Sequence, residues 1–163
     1  MNVEGAHFVP KILSKGGESF VVVDLYHHLY ELLSTDNQLL ALLGIAPEDK
    51  DSLSKQIIKR RKLAQLSDVT KPLLSFYATS GKRDTDNPLL LTSFFRLDVI
   101  TPDDVELAHQ IANHLFHLLD GKSLSMNGIE GLDTYVVSQQ ESDTGHSSAY
   151  CFTLITKFTL QVC

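Results

Sequence analysis

Seven histidines are the first residues to weigh for chemistry. His114 and His117 stand three apart with His109 further back, and His27 and His28 are adjacent. A structural zinc site takes four ligands, usually including cysteine, and a catalytic one takes three with carboxylate help. No HExxH pattern is present, and adjacent side chains on a helix point about 100° apart. These rings read as a polar or subunit-facing surface, and no metal or cofactor is expected.

Other chemical candidates fare no better. Gly121-Lys122-Ser123 has the ending of a phosphate-binding loop, but Phe116 stands where the first glycine is needed, and the segment closes a helix instead of opening one. Asp84 and Asp86 have the spacing of a calcium loop, but Pro88 occupies the third ligand position. No GxSxG elbow exists. The two cysteines, Cys151 and Cys163, fall on an alternating strand with no activating histidine or helix terminus in view. Twelve residues of strand separate them by roughly 40 Å, too far for a disulfide. Asp103 and Asp104 read as helix-start electrostatics. With no catalytic residues to name, the expectation is that this is not an enzyme.

The elements that would position a surface are clearer. Val22, Leu25, Tyr26, Leu29, Leu32 and Leu33 recur at spacings of three and four, the apolar face of a helix. Thr35 and Asp36 can cap a second helix, Asn37 to Leu43, which Gly44 stops. Residues 45–71 read as a helix beginning near Pro47, or as an insertion, with Lys59-Arg60-Arg61-Lys62 in its middle. That run lacks aromatic neighbours for base stacking and reads as a solvated face or a contact for an acidic protein.

From Leu73 the period becomes two. Strands are expected over Leu73–Thr79 and Leu89–Ile100, joined by a polar loop 80–87 that includes Lys82, Arg83, Asp84 and Asp86. In the second strand Leu89, Leu91, Phe95, Leu97 and Val99 share one face, and Arg96 and Asp98 share the other. Thr101-Pro102-Asp103-Asp104 predicts a helix start with Thr101 as the capping hydroxyl. Ala108, Ile111, Ala112, Leu115, Leu118 and Leu119 continue it as a clean stripe. Thr134–Gln140 and the alternating run from Tyr150 complete the order α-α-(α)-β-β-α-β-β. The expected fold is α+β, a mainly antiparallel four-stranded sheet with helices packed on one face. A single domain is expected, with residues 1–17 as a flexible N-terminal arm.

Composition narrows the class. The chain has 163 residues, 43% hydrophobic and 21% charged, with formal net charge −6, so it can bury a core and is not a basic nucleic-acid binder. No apolar run reaches the roughly 20 residues a membrane helix needs, and no secretory leader is visible. A reduced, cytoplasmic protein without membrane contact is expected.

Three features carry a family resemblance. They are the opening helix running into Leu32–Gly44, the strand Phe95-Arg96-Leu97-Asp98-Val99 leading into the Ala108-Ile111-Ala112 helix, and a loose loop before a long alternating terminal strand. Over residues 22–44 and 89–163 the chain resembles the tail terminator or tail completion proteins of long-tailed bacteriophages. The resemblance implies a small α+β subunit whose copies close into a hexameric ring. Such a ring caps the tail tube, stops its polymerisation and joins the tail to the head connector protein, and DNA only passes through the lumen. The protein would be assembled in the host bacterial cytoplasm and would reside in the virion. On that reading loop 80–87, with Lys82, Arg83, Asp84 and Asp86, and the arm 1–17 supply partner contacts. The face carrying Arg96 and Asp98 lines the ring or its lumen. Alternatives are another neck, head–tail joining or sheath-stabilising protein, or a cytosolic ligand-binding α+β domain.

Overall fold

A computed structural model describes residues 17–60, 69–126 and 129–162. Most of the expected N-terminal arm, the second half of the basic run and Cys163 lie outside the described residues.

Helix α1 (Gly17–Thr35) and helix α2 (Asn37–Leu43) meet at Asp36, whose carboxylate accepts the Leu39 N–H at 2.7 Å and caps α2. Gly44, at φ 68°, ends α2 in the left-handed conformation that glycine adopts without a Cβ penalty. Asp49 caps the short helix α3 (Lys50–Gln56), which passes directly into strand β1 (Ile57–Ile58). The helix expected around the basic run therefore stops before it, and Lys59 and Arg60 follow a strand. Buried Gln56 fixes this junction, its amide N–H groups donating to the carbonyls of Leu43 at 2.8 Å and Pro72 at 3.0 Å.

Strands β2 (Leu73–Arg83) and β3 (Leu90–Thr101) form a hairpin, helix α4 (Val105–Leu119) crosses back, and β4 (Ser125–Met126), β5 (Ile129–Ser142) and β6 (Tyr150–Val162) complete the sheet. The strand order is β1-β2-β3-β6-β5-β4. The four long strands pair antiparallel as expected, but among the described residues the sheet has six strands. The two-residue β1, parallel to β2, and β4 extend its edges. Two residues are too few to show any period, which is why four strands were legible.

The first hairpin is longer than its polarity suggests. Ser80, Gly81, Lys82 and Arg83 pair with Phe94, Ser93, Thr92 and Leu91, beyond a bulge between Ala78 and Ser80. Lys82 and Arg83 thus belong to a strand, and the loop proper runs from Asp84 to Leu89, which lies outside β3 and is exposed, not on its apolar face. Backbone pairing does not require apolar side chains, so a strand projecting past the core carries no alternation signal. The start of α4 also shifts: Asp104, not Thr101, accepts the Leu107 N–H at 2.9 Å. Asp103 sits at φ 49°, which breaks helical continuity before that point, and the Thr101 hydroxyl instead donates to the Asp104 carbonyl at 2.6 Å.

One continuous core joins helices and sheet. Leu25, Leu29 and Leu33 of α1, Leu39, Leu40 and Leu43 of α2 and the stripe of α4 pack on Phe76, Phe95, Leu97, Leu154 and Phe158. Tyr26 stands edge-on to Phe95 at 5.0 Å, and Phe95 edge-on to Phe158 at 5.5 Å, an aromatic spine across three elements. The opposite sheet face receives no described helix. At one end Ile100, Ala149 and Cys151 form a small second cluster with Val69 and Leu73.

Candidate interaction surfaces

The sheet face bare of described helices is built by register, and Ser75, Asp98, Ile100, Cys151 and Thr153 on it are buried. Arg96 lies opposite Tyr77 on β2 and Ile155 on β6, and Asp98 opposite Ser75 and Thr153. Arg96 Nε donates to Asp98 Oδ1 at 2.8 Å, and Nη2 donates to Ser142 Oγ at 3.1 Å and Thr153 Oγ1 at 3.3 Å. The Thr153 hydroxyl donates to Asp98 Oδ1 at 2.6 Å, so Thr153 accepts from Ser142, 2.7 Å away. Asp98 Oδ1 accepts from both Arg96 and Thr153, and the guanidinium is held by three side chains from three strands. Arg96 keeps 25% of its side chain exposed and Asp98 only 8%. The sequence places both residues on the wet face, and both are there. Asp98 is nonetheless buried, because Thr153 and Arg96 close over it.

Beside this network, Cys151 is buried, with its sulfur 3.9 Å from Thr153 Oγ1. Desolvation, aided by the Asp98 charge, pushes its thiol up to about 11. At neutral pH it is a thiol and a poor nucleophile.

The remaining expected contact residues gather at the hairpin tip. Asp84 Oδ1 accepts the N–H groups of Asp86 at 2.8 Å and Asn87 at 3.0 Å, which holds its carboxyl below the ordinary value. Asp84 therefore shapes the turn, while Asp86, Lys82 and Arg83 are exposed around it. The tip and the Arg96–Asp98 network share β3.

The histidines of α4 take separate partners. His114 Nε2 lies 2.6 Å from Asp36 Oδ1, linking α4 to the cap of α2. His109 donates to the Tyr150 hydroxyl at 3.0 Å, which donates onward to Glu141 Oε1 at 2.7 Å, and the imidazole rests 4.4 Å from the Phe152 ring. Burial and the Glu141 carboxylate push Tyr150 up to about 12. His117 is exposed beside Phe116. Among the described residues no three His, Cys, Asp or Glu side chains converge as metal ligands, and no helix is long and apolar enough to cross a membrane. Lys59 lies over the Tyr30 ring at 4.3 Å, its stem on the domain surface.

Sequence reasoning missed the network's outer members, Thr153 and Ser142. They lie 55 and 44 positions from Asp98, and only strand register brings them together.

No family model matches the sequence, and no curated protein matches it. Solved structures do match in fold. A chain of the "Virion of native gene transfer agent (GTA) particle" superposes with TM-score 0.63 at 15% identity, covering 87% of this chain and 98% of that one. A structure titled "Np_888769.1" superposes with TM-score 0.52 at 11% identity, covering 90% of this chain and 96% of that one.

Proposed function

We propose that this chain is a structural virion protein, a tail terminator whose copies close into a ring that caps the tail tube, stops its polymerisation and presents a surface to the head connector. The observation that carries the reading is the fold shared, over nearly its whole length, with a chain of a virion particle. It joins the resemblance of residues 22–44 and 89–163 to phage tail terminators. The functional surfaces are consistent with this. They consist of a charged hairpin tip and a sheet face with a fixed arginine, features suited to recognition.

A ring of identical subunits uses heterologous contacts that close by rotation. The resemblance implies six copies. Tail tubes assembled in the presence of the purified protein, viewed by negative-stain electron microscopy, test the reading. The expected result is tubes of arrested length with density at one tip only. Uniformly growing, undecorated tubes would sink it, and density at the head vertex instead of the tube tip would transfer the protein to the neck.

A further inference from the structure

The bare sheet face has the make-up of an interface centre. Arg96 is locked by Asp98, Thr153 and Ser142, with Tyr77 and Ile155 in its own cross-strand row and Phe94 paired with Lys157 in a row beyond. All five of these row residues are half-buried. A guanidinium fixed before binding loses less rotamer freedom on contact, and arginine among aromatic side chains is the composition of binding hot spots. Asp98 balances Arg96, but no described carboxylate pairs with Lys157. The centre of the patch is therefore apolar, with one cation beyond the Arg96–Asp98 pair, and the exposed Asp133 flanks it two residues from Tyr135, the partner of Lys157 on β5.

The first turn of α4 has the complementary character. Asp103, Asp104 and Glu106 are exposed around Val105, itself 48% exposed. No described cation forms an ion pair with any of them. One copy cannot bring its own two surfaces together. The strand from Arg96 to Thr101 runs about 17 Å away from the patch centre, and α4 packs on the other side of the sheet.

We propose that the bare face around Arg96 and Lys157 receives the acidic first turn of α4, Asp103 to Glu106, from a second copy of this chain. The proposal rests on the ring reading and assigns its subunit contact. Val105 enters among Phe94, Tyr77 and Ile155, and the carboxylates face Lys157 and the open edge of Arg96. Each copy then offers one surface of each kind, so contacts propagate until rotation closes them.

Charge reversal with mixing tests this. Lys157→Glu and Glu106→Lys, each checked for an unchanged thermal unfolding transition, are followed by light scattering over a concentration series, alone and mixed one to one, with and without tail tubes. Each variant alone is expected to associate at least about tenfold more weakly than the unaltered protein, through like-charge contact. The equal mixture is expected to recover to within about threefold, because every contact in an alternating ring again pairs opposite charges. The double variant Lys157→Gln with Glu106→Gln carries no charge at this contact and is expected to stay weak, alone or mixed with either reversal. If either reversal associates normally, or the mixture is no better than its components, this contact is wrong while the ring reading stands. If the unaltered protein never associates, even on tubes, both are wrong.

Discussion

The two faces of one sheet are made by the same strands and do different work. On the covered face, alternate residues of β3 and β6 are mostly apolar and buried under the helices, with Phe95 and Phe158 at the centre and Ser93 and Thr156 as buried polar exceptions. On the bare face, the intervening residues form a hydrogen-bonded set around Asp98 and Arg96. The first arrangement is non-directional and fixes that the chain folds. The second is directional and fixes where one cation points. A protein acting through its surface needs both, and alternation lets a single strand supply them.

The largest expected effect breaks the covered face. Phe95→Ala removes the middle of the aromatic spine and should cost about 3–5 kcal/mol, read as a lowered denaturant midpoint with loss of the native fold in a marginal background. Next comes the bare face. Asp98→Ala leaves Arg96 and Thr153 without their shared acceptor and should cost about 2 kcal/mol. Equilibrium urea unfolding checks this, and a cost equal to that of Phe95→Ala would erase the contrast between the faces.

Asp36→Ala should cost about 1–2 kcal/mol at neutral pH through loss of the α2 cap, together with its bond to His114. Burial raises the Asp36 carboxyl, but the Leu39 N–H and His114 outweigh it and hold the value below the ordinary 3.8. The sign follows: the carboxylate's contribution is fully present above the unfolded value and is lost as pH falls through the folded one. The gap between variant and unaltered protein should therefore close on acidification below about pH 4. A gap that stays constant down to pH 2 would show that the carboxylate's charge is not involved. Smallest in stability is Lys82→Glu with Arg83→Glu, within about 0.5 kcal/mol because both side chains are exposed. That pair is nonetheless expected to abolish tail joining in an in vitro assembly assay. Unfolding by this pair would mean that the outer hairpin carries stability after all.

What was legible in the sequence follows the same division. The α4 stripe and the alternation of β3 and β6 were plain, because burial against helices imposes a period on residue type. The β2 extension was not, since residues 79–83 are all exposed and nothing selects their polarity. Strand β5 runs 14 residues, but two bulges, after Gly131 and after Val136, shift its period, so only its middle stood out. Thr101 reads as the α4 cap, and the left-handed turn at Asp103 that moves the cap to Asp104 leaves no trace in composition. Arg96 and Asp98 were visible as a polar pair on the wet face. That Thr153 and Ser142 bury the aspartate depends on pairings more than forty residues apart, which local pattern cannot encode.

The claim on which the rest depends is that the protein works as a closed assembly of its own copies. Native mass spectrometry of the purified protein, free and released from tail-tube tips, measures this directly. The account predicts a particle of six times the 18.1 kDa subunit mass in at least the tip-derived sample, and a lone subunit in both samples would contradict it.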